Sequence, residues 1–181
     1  VICSNKDLGC IKSLNVKKID KWYNVNGYSI IYCDKKSSAL KEILLSRWCI
    51  KHDFLYLGSF FNPIFSIYTL MTRIFSKKSI IIAPKGEFFE GALAQKSLKK
   101  IIVLKFFKLS KIFFSIKWHA TNKSEKNALK KLLNLKEKEV IISSNISTIN
   151  KIESKHKIKY PGQLNVLICG RVSPIKNILM S

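Results

Sequence analysis

Short apolar runs of β-strand type alternate along this chain with segments whose apolar residues recur at helical spacing. Runs such as residues 79–83 (SIIIA) are β-branched and bounded by turn residues, which is typical of buried strands. Strands separated by helices form parallel sheets covered by helices. The alternation therefore predicts an α/β fold, a Rossmann-like parallel sheet with helices on both faces. The predicted strands are residues 28–33, 53–57, 79–83, 116–120, 140–142 and 165–169.

Side chains that suit helix starts lie between these strands. Ser37 and Ser38 can cap a helix that continues to about residue 48. Pro63 suits the first turn of the next helix. Asn122, with Glu125 three residues later, predicts a start that resembles a capping box.

The longest helix is predicted over residues 97–114. Its apolar residues recur at helical spacing, and its lysines lie largely on the other side, so one face should pack against the sheet. The residues predicted to face inward are Leu98, Ile101, Ile102, Leu109, Ile112 and Phe113.

The chain of 181 residues carries 33 Lys+Arg against 11 Asp+Glu, a formal net charge of +22. The basic residues are mostly lysine and are spread along the whole chain, whereas nucleic-acid-binding surfaces usually include arginine for phosphates and guanine edges. Three interpretations stay open: a compositional bias, contact with an anionic membrane surface, and nucleic-acid binding, of which the last is the least favoured.

The cysteines do not form a metal-binding pattern. Their number is odd, no two are spaced as CxxC, and the chain has only three histidines, so no zinc ligand set is visible. Free thiols in a reducing cytoplasm fit this usage best. The cysteines are Cys3, Cys10, Cys33, Cys49 and Cys169.

Residues 54–72 contain no charged side chain and approach the length of about 20 residues that a membrane-spanning helix needs. Turn residues interrupt this stretch at Gly58-Ser59 and at Asn62-Pro63. We therefore predict a strand, a turn and a helix here. A short integral membrane protein built around this stretch is the alternative.

The turns that follow the predicted strands hold the candidate site residues, because ligands of parallel sheets bind at the carboxyl ends of the strands. Such a turn can equally be an exposed connection. A lone histidine at a strand end is more often a packed, hydrogen-bonded residue than a catalyst, and a threonine there suits a helix cap. The candidates are Gly58, Ser59, Lys85, Gly86, Glu87, His119 and Thr121.

A basic turn follows the last predicted strand. Gly170 permits close backbone approach, and the helix start predicted at Pro174 has free N–H groups that attract anions. Arg171 can grip phosphate oxygens in a bidentate manner, and Lys176 adds a point charge. A diphosphate is a natural ligand for this turn, and a solvated basic surface is the alternative.

Four segments follow one another along the chain: IIIAPKGEF at 80–88, WHATNKSE at 118–125, IISSNI at 141–146 and LICGRVSPIKN at 167–177. In this order they resemble the family-4 glycosyltransferases, which include many bacterial capsule and lipopolysaccharide enzymes. They are similar to the family's Pro-Arg-Gly turn, its His-Ala-Thr-Ser-Glu step, the end of its acceptor domain, and the Gly-Arg opening of its donor domain. Lys85 stands where the family usually has arginine.

The resemblance implies a GT-B fold, in which two Rossmann-like domains enclose a cleft. Residues 1–149 would be an incomplete N-terminal, acceptor-side domain, residues 150–163 a linker, and residues 164–181 the first strand of a truncated donor-side domain. It implies transfer of a sugar from a nucleotide sugar to a glycan or lipid-linked acceptor in cell-surface polysaccharide synthesis. The reaction would be a retaining hexosyl transfer in the cytoplasm, without metal or other cofactor, at the inner face of the membrane.

Carried over by residue, the resemblance implies that Gly170, Arg171 and Lys176 bind the donor diphosphate. No catalytic residue is assigned. A chain that ends at Ser181 is expected to be a fragment that transfers no sugar alone. The alternative function is a basic peripheral membrane or nucleic-acid-binding module without catalysis. The residues implied on the acceptor side of the cleft are Gly58, Ser59, Lys85, Gly86, Glu87, His119 and Thr121.

Overall fold

The computed structural model describes most of the chain up to residue 145. The chain divides into two compact units, Val1–Ser143 and Ser144–Ser181. The first unit contains nearly all of the described residues, including every helix and strand that the structure assigns. The domain limits at 149 and 163, and the predicted strand at 165–169, stay predictions. The described residues are 1–6, 11–16, 18–49, 53–73, 79–94, 97–109, 116–145 and 161–162.

The described part of the first unit is built from short strands and helices in alternation. A π-helical turn, Pro63–Tyr68, runs into the second α-helix, and a 3-10 turn, Glu137–Glu139, precedes the last strand. The strands are β1 (Ile2–Ser4), β2 (Tyr23–Val25), β3 (Tyr28–Cys33), β4 (Phe54–Leu57), β5 (Ser79–Ile82), β6 (Ile116–Ala120) and β7 (Val140–Ile142). The helices are α1 (Lys36–Cys49), α2 (Thr69–Arg73), α3 (Glu90–Ala94), α4 (Ser97–Leu109) and α5 (Lys123–Leu133).

A four-stranded, all-parallel sheet flanked by helices forms the main layer, in the order β4-β5-β6-β7. The register pairs Leu57 with Ile82, Ile82 with Trp118, and Ala120 with Ile142. The predicted strands at 53–57, 79–83, 116–120 and 140–142 are confirmed to within one residue at each end. This mixed α/β architecture is compatible with a Rossmann-like fold.

A second, three-stranded sheet has the order β1-β3-β2. The predicted strand at 28–33 is confirmed as β3, which pairs in parallel with β1 and antiparallel with β2. The hairpin between β2 and β3 turns at Asn26 and Gly27, whose φ angles are +46° and +87°. Two consecutive positive φ angles give the tight turn that Asn-Gly favours. Neither β1 nor β2 is among the predicted strands.

Aromatic side chains fill the centre of the core beside the four-stranded sheet. The Phe60 ring centroid lies 5.4 Å from that of Phe88, 5.5 Å from that of Phe107 and 5.7 Å from that of Trp118. All four side chains are buried. Aromatic pairs at about 4.5–7 Å add stabilisation beyond the area they bury. We call these four residues the aromatic cluster.

The predicted inward face of the long helix is wrong in its described part. Leu104 and Phe107 are buried instead, and Phe107 belongs to the aromatic cluster. Apolar residues occur on both sides of α4, so spacing alone could not decide which side packs. The helix is described as far as Leu109, and residues 110–115 lie outside the described part. The predicted inward residues that the structure describes are all exposed: Leu98, Ile101, Ile102 and Leu109.

Residues 54–72 form a strand, a turn and a helix, as predicted. The Asn62 side chain accepts hydrogen bonds from the backbone N–H groups of Ile64 (3.0 Å) and Phe65 (2.9 Å), and so caps the helical segment. The first turn of this helical segment is π-helical, because the Ile67 N–H donates to the Asn62 carbonyl over 2.9 Å. Among the helices that the structure describes, none is long and apolar enough to cross a membrane.

The predicted caps are correct at α5 and wrong at α1. The Asn122 side chain accepts from the Glu125 N–H over 2.8 Å, as an N-cap does. Helix α1 begins at Lys36, so Ser37 and Ser38 lie inside its first turn. The Ala39 N–H donates to the Lys35 carbonyl over 3.2 Å, which moves the helix start ahead of both serines.

Candidate functional site at the carboxyl ends of the parallel strands

The turns after β4, β5 and β6 emerge at the same end of the four-stranded sheet, because the strands are parallel and their registers are aligned. This end is where parallel sheets bind their ligands. It gathers all of the acceptor-side candidates: Gly58, Ser59, Lys85, Gly86, Glu87, His119 and Thr121. Gly170, Arg171 and Lys176 lie outside the described residues.

Glu87 connects the turn after β5 to the turn after β4. Its carboxylate accepts a hydrogen bond from the Ser59 hydroxyl over 2.6 Å. It also accepts from the backbone N–H groups of Phe60 (2.6 Å) and Phe61 (3.3 Å). Glu87 therefore holds the turn after β4, which we call the β4 turn, and positions Phe60, whose ring belongs to the aromatic cluster.

Glu125 connects the turns after β5 and β6, and it is not among the site residues predicted from sequence. Only 1% of its surface is exposed. Its carboxylate accepts from the Gly86 N–H (2.6 Å), the Thr121 N–H (2.7 Å) and the Thr121 hydroxyl (2.7 Å). These donors offset the cost of burying a carboxylate. In a capping box this carboxylate would bind the Asn122 N–H, so the resemblance to that motif is only partial.

Lys85 occupies a backbone conformation that glycine or asparagine adopts more easily. Its φ is +50°, and that of Gly86 is +83°. The side chain is exposed, and its end lies at the turn after β4: a Cβ built on Gly58 would lie 3.8 Å from the Lys85 Nζ. The ammonium group of Lys85 is thereby brought to the β4 turn.

His119 joins three strands of the sheet. Its Nδ1 lies 2.8 Å from the Tyr56 hydroxyl on β4, and its Nε2 lies 2.8 Å from the Ser143 carbonyl after β7. A carbonyl can only accept, so Nε2 carries a proton. In the neutral imidazole, Nδ1 then accepts from the Tyr56 hydroxyl. Partial burial, and then the charge of Glu125, raise the pKa of Tyr56, so its hydroxyl keeps the proton that it donates. This geometry favours the packed, structural role of the histidine.

Replacing Tyr56 by phenylalanine is expected to lower the free energy of unfolding by about 1 kcal/mol, since it removes one hydrogen bond to His119. Urea denaturation followed by circular dichroism measures this change. Tyr28→Phe is the matched control, because Tyr28 is 47% exposed and Tyr56 is 48% exposed. An equal loss in the two variants would contradict a bond between Tyr56 and His119 that contributes to stability.

A cleft of about 800 Å³ opens next to these turns, within the range of small-molecule sites. It lies between the ends of β1 and β3, the start of α1 and the β4 turn. Lysines at its rim favour an anionic ligand. The Asp34 carboxylate is held by the Asn5 side-chain amide over 2.9 Å. Residues lining the cleft include Lys6, Asp34, Lys35, Lys36, Gly58 and Asn62.

The two cysteines whose side chains the structure describes are free thiols. Burial raises the pKa of Cys33 to about 11, and burial also raises the pKa of Cys3. Both thiols therefore stay protonated at neutral pH and are weak nucleophiles. Within the described ranges, no group of three histidine, cysteine or acidic residues could hold a metal ion.

No protein-family model, curated protein or solved structure matches this chain. The interpretation of the site therefore depends on its geometry and on its residue types. The carboxylates of Glu87 and Glu125 hold the turns in place. Lys85 presents an exposed charge at the same end of the sheet.

Proposed function

We propose that this chain is the acceptor-side part of a GT-B glycosyltransferase, with helices on both faces of its Rossmann-like sheet. The enzyme transfers a sugar from a nucleotide sugar to a glycan or lipid-linked acceptor in cell-surface polysaccharide synthesis. It works in the cytoplasm, at the inner face of the cell membrane. The observation that carries the proposal is the meeting of the turns after β4, β5 and β6 at the carboxyl end of one parallel sheet.

The conformation of Lys85 supports a binding role for this end of the sheet. A residue with a Cβ in the left-handed region costs about 1 kcal/mol or more relative to glycine. Lysine at a φ of +50° therefore lowers the stability of a turn that has no binding role. Its ammonium group lies near Gly58, which lines the cleft. In this proposal Lys85 binds a hydroxyl or phosphate oxygen of the acceptor.

Glu87 and Glu125 support the same site indirectly. Each carboxylate is engaged by backbone N–H groups and a hydroxyl from a neighbouring turn. Side chains held in this way fix the geometry of the groups around them, as a preorganised site requires. Both glutamates are positioning residues in the proposal, and Lys85 contacts the acceptor.

In this proposal the second unit, Ser144–Ser181, supplies residues that bind the nucleotide-sugar donor. The bond between the anomeric carbon and the diphosphate oxygen breaks, and a bond to an acceptor hydroxyl oxygen forms while the proton of that hydroxyl passes to the departing diphosphate. Negative charge grows on the departing nucleoside diphosphate. Arg171 and Lys176 would stabilise that charge, with Gly170 allowing close approach of the backbone.

The test uses the protein expressed from its complete reading frame. It is incubated with a panel of nucleotide sugars and a lipid extract as acceptor, and the released nucleoside diphosphate is measured. Arg171→Ala and Lys176→Ala are each expected to lower kcat by roughly 10²-fold or more. Lys85→Gln is expected to raise the KM for the acceptor, with a smaller change in kcat.

Lys155→Ala, within the linker predicted at residues 150–163, is the matched control and should leave both constants unchanged. The proposal fails if the folded protein releases nucleoside diphosphate from none of the nucleotide sugars. It also fails if the Arg171 and Lys176 variants are as active as the control.

A further inference from the structure

The outward side of α4 is an apolar surface that none of the other described elements covers. Leu98, Ile102 and Leu109 are 76%, 67% and 85% exposed. A helix repeats every 3.6 residues, so these three positions lie on one side of it. Ile101 and Phe106, also exposed, widen the same side. Single exposed apolar residues are ordinary, whereas a contiguous set on one helix marks an interaction surface. We call these five residues the outer face of α4.

The opposite side of α4 holds the helix in this orientation. Leu104 and Phe107 are buried in the core. The Lys100 ammonium donates to the Ala92 carbonyl and lies 5.2 Å from the centroid of the Phe61 ring. The helix cannot rotate its outer face inward without removing Phe107 from the aromatic cluster, so this face stays directed away from the described core.

The charged residues of α4 are all positive. Lys99, Lys105 and Lys108 are exposed on this helix, which has no acidic residue between Ser97 and Leu109. Lys108 also donates to the Leu132 carbonyl over 2.7 Å. The chain as a whole has a net charge of +22. At 3.6 residues per turn, Lys105 lies within the outer face, between Ile101 and Leu109, and Lys99 and Lys108 lie at its two edges. The surface that complements this helix is therefore apolar and carries negative charge opposite these lysines.

We propose that the outer face of α4 binds the surface of an anionic lipid bilayer. Helices that lie in the membrane interface place leucine, isoleucine and phenylalanine in the acyl region and lysine among the phosphates. A second copy of this chain is a poorer occupant, because a symmetric contact would bring Lys99, Lys105 and Lys108 of both copies together. The proposal does not depend on sugar transfer.

The experiment is co-sedimentation of the 181-residue chain with phosphatidylcholine vesicles, with and without phosphatidylglycerol. Binding is expected to the anionic vesicles and to be at least about tenfold weaker to the neutral ones. Ile102→Ser combined with Leu109→Ser removes apolar surface and leaves the net charge unchanged. This variant is expected to bind anionic vesicles about tenfold or more weakly, because interfacial binding scales with the apolar area inserted.

The matched control is Leu44→Ser combined with Leu45→Ser on α1, since both leucines are 43% exposed. It should bind within about twofold of the parent chain, because surface changes elsewhere alter little. Equal binding by the parent and the Ile102/Leu109 variant would overturn the proposal and leave only diffuse attraction of the lysines. Absence of binding to anionic vesicles would overturn it too. So would a lipid-free dimer, seen in sedimentation velocity, that the Ile102/Leu109 variant abolishes.

Discussion

Replacing Phe60 by alanine is expected to lower the free energy of unfolding by about 3–5 kcal/mol. Phe60 is 0% exposed, and its ring lies against those of Phe88, Phe107 and Trp118. Its removal leaves a cavity whose walls are rings fixed on a strand, a strand turn and a helix, so the site can collapse little. Urea denaturation of the 181-residue chain, followed by circular dichroism, measures the loss.

Phe54→Ala is the matched control, since it removes the same atoms from an exposed position on β4. It is expected to cost less than about 1 kcal/mol. Domains are stable by only about 5–15 kcal/mol, so Phe60→Ala is able to unfold the chain. Phe60→Leu, which fills most of the volume, should then still fold with a smaller loss. Equal costs at Phe60 and Phe54 would show that the aromatic cluster is not the centre of the core.

Replacing Glu125 by glutamine is expected to destabilise the chain by about 2 kcal/mol, and replacing it by alanine by about 3–5 kcal/mol. One carboxylate oxygen accepts from Gly86, and the other accepts twice from Thr121. The carbonyl oxygen of glutamine can accept either from Gly86 or from Thr121. Its NH₂ group then faces the N–H donor on the other side, to which it cannot bond. Alanine leaves all of these partly buried donors without their acceptor. Thermal or urea unfolding of the three proteins gives the comparison.

Glu90→Gln, on the exposed first turn of α3, is the control for loss of a negative charge. It should change stability by less than about 0.5 kcal/mol. Thr121→Val combined with Glu125→Ala should cost less than the sum of the two single changes, since both remove the hydrogen bond between the Thr121 hydroxyl and the Glu125 carboxylate. Strict additivity would show that Thr121 and Glu125 are not coupled.

The parallel sheet could be predicted from sequence because its strands are short β-branched runs that end at turn residues, as at Pro84. The start of α5 could be predicted because a cap is a local property of Asn122. The packed side of α4 could not be predicted. The contact between Phe107 and Phe60 decides which side of the helix is buried, and apolar residues occur on both sides. The hairpin at Asn26-Gly27 did carry a sequence signal, although neither it nor β2 was predicted.

The position of the candidate site followed from the rule for parallel sheets, whereas two of its contacts depend on the fold. Glu125 binds Gly86, which is 39 residues away, and His119 binds Tyr56, which is 63 residues away. Neither pairing has a local spacing that could indicate it. A glutamate in the first turn of the helix that follows a buried strand is a modest signal for a carboxylate that holds neighbouring turns, since it lies close to the strand end.

Two neighbouring residues after β5, Gly86 and Glu87, are each hydrogen-bonded to a different part of the fold. The Gly86 N–H is bound to Glu125, beyond β6, and the carboxylate of the next residue, Glu87, is bound to Ser59, after β4. An inserted or deleted residue between them would break one attachment or the other. The length of this turn is thereby fixed from two directions. Variation in chain length among proteins that share this architecture must be accommodated at other connections.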